Sequence, residues 1–227
     1  CDCDLREHHD HARPPESSRC EQHRRYSRRP HHRVVLAAMD VAAWRRQTRA
    51  HLIGERERLR AEQHRSASLA IEASLEEILR DLPPQTLSAY WPFKGEVDLR
   101  PLMERLQSKG WITALPSVVG RGLPLEFLRW TPDAVMNPGV HGIPVPRTRI
   151  IVRPGIIILP LVGFDAANYR LGYGAGYFDI TLSVLQPRPR SIGVGFELSR
   201  LETIYPMVTD VPLDLVVTEA GVQGKSR

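Results

Sequence analysis

The stretch "PGIIILPLVGFDAANYRLGYGAGYFDITLSVLQ", residues 154–186, sets an apolar run, a glycine-rich turn and a helix-like segment in direct succession. The run Gly155–Phe164 is far short of the roughly 20 residues a membrane-spanning helix needs. It predicts a central parallel strand buried on both faces. Behind it, Gly172, Gly174 and Gly176 alternate with Tyr173 and Ala175 between Arg170 and Asp179. A glycine-rich turn entering a helix lets backbone N–H groups reach anionic oxygens, and the helix N-terminus adds partial positive charge. Arg170 supplies a full one. The spacing has neither the dinucleotide fingerprint nor a Gly-Lys-Ser/Thr ending. Glycines kept for tight strand-to-helix packing are the alternative.

Working outward, residues 41–63 read as one basic amphipathic helix with Val41, Trp44, Leu52, Ile53 and Leu59 covering a core. A second helix carries Leu69, Ile71, Leu75 and Leu79, with Ser66 or Ser68 as its cap and Pro83-Pro84 as its stop. "TLSAYW", "DLRPLMERLQSKG" and "WITALPSV" then alternate as strand, helix and strand, ahead of a turn-rich hairpin region at "GRGLPLEFLRW". After the proline-rich "NPGVHGIPVPRTR" and the central strand, "YFDITLSVLQ" reads as a helix, and "SIGVGFE" and "LVVTEAGV" each read as a strand. The expectation is an α/β fold: a single three-layer domain with a mostly parallel central sheet flanked by helices.

The 227 residues, 42% apolar, suffice for one sizeable core. Residues 1–38 differ in kind, holding six of the nine histidines and eight arginines with no lysine and almost no apolar periodicity. Such a segment cannot bury enough surface to offset its ordering entropy. It is expected to be a disordered or non-native extension ahead of a domain at 39–227, with Met39 as a plausible start. Cys1, Cys3, His8, His9, His11 and Cys20 are metal-ligand types, but their spacing matches no structural zinc pattern. All three cysteines lie there, so the core chemistry is thiol-free. The N-terminus lacks the apolar stretch of a secretory signal, which predicts a cytoplasmic protein without a membrane partner. A formal charge of +5 keeps nucleic acid open as a partner, yet no aromatic-plus-basic RNA motif or recognition-helix pattern accompanies it, so none is expected.

"GFDAANYRLGYGAGYFD" closely resembles the signature of the 5-formyltetrahydrofolate cyclo-ligase family, also called 5,10-methenyltetrahydrofolate synthetase. The resemblance runs collinearly through Arg45 to Arg49, "FKGEVDLRPL", "HGIPVP", the glycine stretch and "PMVTDVPLDLVVTEAG", covering roughly residues 41–222. It implies an ATP- and magnesium-dependent cyclisation of 5-formyltetrahydrofolate to 5,10-methenyltetrahydrofolate with release of ADP and phosphate. A formamide oxygen is a poor leaving group, so its phosphorylation gives an activated imidate that N10 attacks intramolecularly. The protein's share is to align triphosphate and formyl oxygen and to neutralise the spreading charge.

The resemblance also implies roles. Arg45 and Arg49 fall at basic positions for the ATP phosphates, with arginine at 45 where the family commonly has lysine; a solvated helix face is the alternative for both. Arg170, Leu171, Gly172, Tyr173, Gly174, Ala175, Gly176, Tyr177 and Phe178 match the ATP loop. Within it Tyr173 to Tyr177 also line the folate, and Arg170 and Tyr177 take the catalytic positions. Trp91 and Glu96 match folate contacts, the carboxylate suiting hydrogen-bond donors on a pterin and the indole face a flat ring. Asp179 and Asp210 match magnesium-associated carboxylates, which are hard oxygen ligands. His141-Gly142, Ala175 and Thr209 depart from the family pattern. They keep open a rival, a non-catalytic folate- or nucleotide-binding relative. His141 could also serve as an acid or base. A monomer is expected.

Overall fold

The computed structural model describes residues 40–224. The extension at 1–38, its six candidate ligands and Met39 lie outside the described residues. In chain order the elements are α1 (Val41–Glu57), α2 (Ala61–Leu79), β1 (Thr86–Ser88), α3 (Arg100–Ser108), β2 (Ile112–Ser117) and β3 (Glu126–Arg129). Then come β4 (Met136–Pro138), β5 (Pro144–Pro146), β6 (Ile156–Pro160), β7 (Gly163–Phe164), β8 (Arg170–Leu171), α4 (Tyr177–Val184), β9 (Arg190–Val194), β10 (Leu215–Thr218) and β11 (Gly221–Gly224).

Seven strands form one sheet in the order β11-β10-β9-β6-β1-β2-β3. The five inner strands run parallel, and β3 and β11 close the edges antiparallel. The central strand is β6, as its apolar run predicts. Side chains alternate across a strand, so Ile156 and Ile158 join Ile71, Leu75, Leu102 and Met103 of α2 and α3 on one face. Ile157 and Leu159 join Leu182 of α4 on the other. These are the three layers expected of the sequence. Each such buried aliphatic side chain contributes about 1.5–3 kcal/mol relative to exposure, so a charge at Ile157 would break both the strand and the layer against it.

The crossover β1-α3-β2 shows how local sequence sets its elements. The Asp98 carboxylate accepts the Arg100 N–H at 3.0 Å, Pro101 occupies the first turn where an N–H has no helical partner, and Gly110 ends the segment at φ 86°. Leu102, Met103 and Leu106 make the buried stripe between.

Four expectations need correction. The helix read over 41–63 stops at Glu57, and α2 begins at Ala61, so Ser66 and Ser68 lie inside α2 rather than capping it. Gln63 reaches back to the Arg60 N–H there (3.4 Å), and Leu69 is exposed. The run 155–164 divides between β6 and β7, and Arg170–Leu171, read as loop, pairs as β8 with β7. "LVVTEAGV" is a hairpin, β10 and β11, turning at Glu219-Ala220 with Gly221 at φ 128°. Finally, α1 does not cover a core with an apolar stripe: its buried residues are Arg45, Leu52 and Arg56. Among the described residues no helix is long and apolar enough to cross a membrane.

Candidate active site

The glycine loop 172–176 joins the β7–β8 ribbon to α4, and α1 lies against it. Close approach is written into the sequence: a Cβ on Gly163 would stand 2.9 Å from Leu201 Cδ1 and 3.0 Å from Leu52 Cδ1, so α1 approaches the ribbon closely over a bare position. A Cβ on Gly172 would stand 2.3 Å from Arg170 Nη1, so the guanidinium packs where a side chain would be. Gly174 and Gly176 have φ 107° and 71°, which L side chains rarely adopt.

Arg170 is buried, and its Nη2 donates to Asp179 Oδ2 at 2.8 Å. Burial lowers its pKa from the ordinary value, with Asp179 and then Asp210 acting in the opposite sense. Its Nε has no hydrogen-bond partner among the described residues. A buried cation only partly neutralised favours an incoming anion. Arg49 Nε donates to the Gly172 carbonyl at 2.7 Å, which fixes the guanidinium against the loop. Its pKa is lowered by burial and then by the neighbouring Arg45 charge. Neither residue is a solvated helix or loop cation.

Arg45 is committed elsewhere. It is buried, pairs with both Asp210 oxygens and donates to the carbonyls of Ile204 (3.2 Å) and Tyr205 (2.9 Å). Asp210 Oδ2 also accepts the Met207 N–H at 2.6 Å, and Asp179 Oδ1 accepts that of Val211 at 3.2 Å. Each carboxylate that the resemblance gives to magnesium is therefore held by an arginine and a backbone N–H. Among the described residues no three His, Cys, Asp or Glu side chains gather as a metal-binding group.

On the other side of the loop, the Tyr173 hydroxyl donates to Glu96 Oε1 at 2.5 Å, and the Phe93 N–H donates to Oε2 at 2.9 Å. Glu96 is buried, and desolvation pushes its pKa up to about 7 against the opposing pull of Tyr173, Arg56 and the Phe93 N–H. Burial also raises the Tyr173 phenol. Arg56, which the sequence reading did not single out, donates from Nη2 to the Tyr173 oxygen at 2.7 Å. The signal was present: residues 45, 49, 52 and 56 form one helical stripe, and three of them are arginines.

Tyr177 opens α4, its carbonyl accepting Thr181 Oγ1 at 2.6 Å, and its ring packs with Phe178 on the α4-side core. Leu171 is buried in β8, and Ala175 is exposed. Trp91 is not drawn into this cluster. Its ring lies under the Arg100 guanidinium at 4.4 Å and lines a hollow with Asp98, Trp130 and Met136. His141 is exposed at φ 57°.

Comparison with known proteins sets this geometry in a family. Residues 41–219 match the model of the 5-formyltetrahydrofolate cyclo-ligase family. The chain is 27% identical to the 5-formyltetrahydrofolate cyclo-ligase of Haemophilus influenzae over 181 residues, 76% of this chain and 97% of that protein. It is 30% identical to the enzyme of the same name from Escherichia coli K12 over 147 residues, 60% and 79% of the two chains. Among solved structures it superposes on the 5,10-methenyltetrahydrofolate synthetase of Aquifex aeolicus with a TM-score of 0.67 and 30% identity, covering 81% of this chain and 94% of that one. A synthetase from Mycoplasma pneumoniae, at TM-score 0.64 and 24% identity, shares the fold. Matched over residues 41–219, the chain belongs to the 5-formyltetrahydrofolate cyclo-ligase family.

Proposed function

We propose that the protein cyclises 5-formyltetrahydrofolate to 5,10-methenyltetrahydrofolate at the expense of ATP, releasing ADP and phosphate. Beyond family membership, one observation carries the reading: Tyr173, inside the anion-facing glycine loop, is hydrogen-bonded to the buried carboxylate of Glu96. Phosphate-binding and pterin-binding groups thus belong to one connected unit. The residues present fit a polyphosphate, because Arg170 Nε is orphaned, Arg49 faces the loop, and the bare glycines leave backbone N–H groups accessible.

ATP supplies the phosphoryl group that makes the formyl oxygen able to leave. Arg170 and Arg49 would neutralise charge on the transferring group, in a partly buried setting where such contacts are strengthened. Glu96 accepts hydrogen bonds from the pterin and so orients the ring, leaving N10 to attack a carbon already held within reach. Tyr177 and Phe178 pack against the α4-side core and so fix the start of α4 behind the loop that would hold the phosphates. Trp91 would offer the folate only one ring face, the other being covered by Arg100.

Asp179 and Asp210 are each paired with an arginine, and among the described residues no third carboxylate or imidazole joins them, so the residues present do not make a closed magnesium site of their own. In this reading Asp179 and Asp210 anchor Arg170 and Arg45, and Arg45 braces the 204–210 loop rather than reaching phosphate. The test is the absorbance of methenyltetrahydrofolate formed from 5-formyltetrahydrofolate with and without ATP. ATP-dependent formation supports the proposal. Binding of folate or nucleotide without turnover overturns it in favour of the non-catalytic relative.

A further inference from the structure

Arg56 is a buried cation on α1, whose other buried residues are Arg45 and Leu52. A leucine would suffice there if packing were the only demand. Instead its guanidinium joins three segments distant in sequence. Nε donates to the Lys94 carbonyl at 2.9 Å, Nη1 to the Leu161 carbonyl at 3.1 Å and Nη2 to the Tyr173 hydroxyl at 2.7 Å. Lys94 and Gly95 sit at φ 48° and 71°, so the turn that aims Glu96 is a conformation needing outside support. Glu96 Oε1 lies 3.8 Å from Arg56 Nη2.

The chemistry of the three side chains fixes a direction. Arginine only donates, so the Tyr173 oxygen must accept from it, and the single phenolic proton must then point at Glu96. The Phe93 N–H occupies the other carboxylate oxygen. While Glu96 is ionised, both oxygens are thereby set as acceptors, and the lone pairs that remain receive donors. A reduced pterin edge offers such donors.

We infer that Arg56 is a positioning residue for the folate, one that orients the Tyr173 proton and holds the Glu96 carboxylate as an acceptor. The inference rests on the reading of Glu96 as the folate contact. It assigns Arg56 no contact with substrate. The groups facing Glu96 are Arg56 from α1, Tyr173 from the glycine loop, the Phe93 N–H from its own turn and Tyr90 beyond the end of β1. The Tyr90 hydroxyl is buried with no hydrogen-bond partner among the described residues, and its phenol is raised by burial first and then by Glu96.

The experiment compares the parent with Arg56→Lys, which keeps charge but not the fork, and with Tyr173→Phe, which removes only the bridging hydroxyl. The KM for 5-formyltetrahydrofolate is measured from about pH 6 to about pH 9 in each. A roughly tenfold rise in folate KM is expected for both variants, and Tyr173→Phe should also move its acid limb upward by about one pH unit, because it loses the hydrogen bond that favours the ionised carboxylate, whereas the charge kept in Arg56→Lys holds the limb nearer its parent position. Added to Glu96→Gln, Arg56→Lys should raise folate KM less than twofold, since both act through one group. Losses that multiply, or an unmoved pH profile in Tyr173→Phe, overturn the inference. If Arg56→Lys does not fold, Tyr173→Phe decides alone. A parent without turnover refutes the proposed function rather than this linkage. The linkage is then read from denaturant unfolding: the pH at which Glu96 ionisation lowers stability should rise by about one unit in Tyr173→Phe, and an unchanged pH overturns it.

Discussion

Replacing Glu96 by Gln should change how the fold responds to pH more than it changes the fold itself. The carboxyl is buried and its pKa stands near 7 against an ordinary 4.5, with desolvation the largest cause. A group whose folded value lies above its unfolded value contributes stability fully present below the unfolded value, and loses it as pH rises through the folded one. Each pH unit of displacement is worth about 1.4 kcal/mol, so complete ionisation of Glu96 removes about 3 kcal/mol. Most of that falls between about pH 5 and about pH 8.5. Gln has no proton to lose, and its carbonyl still accepts the Phe93 N–H, so its cost is a constant offset. Urea unfolding of parent and variant across that range should therefore show the gap between them moving by about 2 to 3 kcal/mol in the variant's favour toward alkaline pH. Parallel stability curves would refute the argument, because they would mean that Glu96 is solvated in the folded protein.

Arg170→Ala should lower stability by about 3 kcal/mol as well as abolish turnover, because it strands the half-buried Asp179 carboxylate; the double change Arg170→Met with Asp179→Leu should recover most of the stability and none of the activity. Recovered activity in the pair would remove Arg170 from the chemistry. Asp210→Asn should act by loosening Arg45 and the 204–210 loop, lowering the melting temperature while leaving the magnesium concentration for half-maximal rate within about twofold, whereas a tenfold or larger rise would return Asp210 to the metal. Removing residues 1–38 should leave melting temperature and turnover unchanged, and a marked fall in either would give that segment a role.

What could be read in advance was whatever depends on apolar pattern or on backbone chemistry. The Ile156–Leu159 run predicted a strand buried on both faces, and Gly172, Gly174 and Gly176 marked a loop whose backbone disfavours side chains, by crowding at Gly172 and by positive φ at Gly174 and Gly176. The β1-α3-β2 alternation followed from two strand-like runs about a short helix. Partner choice was hidden. Arg46, Arg49, Arg56 and Arg58 are chemically identical letters, and only the folded chain shows that two of them are exposed, one lies against a carbonyl of the loop and one is locked between three segments. The metal reading of Asp179 and Asp210 was carried by resemblance alone, which records residue type and not which donors surround it. The hairpin at Glu219-Ala220 escaped because that pair lacks the Asn-Gly or Asp-Gly signature of a two-residue turn, so two strands ran together as one.

The inward-facing arginines of α1 have a consequence for how the protein is made. This helix is the first described element to leave the ribosome, yet its anchors come late: Arg56 waits for Lys94, Leu161 and Tyr173, Arg49 for Gly172 and Arg45 for Ile204 to Asp210. The last of these spans 165 residues of chain. At about 5 to 20 residues per second, synthesis leaves the helix without its partners for on the order of ten seconds or more. During that interval its basic stripe, destined for the interior, stays in water at no cost, where a leucine stripe would invite aggregation. A nascent chain cut short before Asp210 could assemble the central strands and still lack the brace for Arg45, so α1 gains its last anchor only as the domain nears completion.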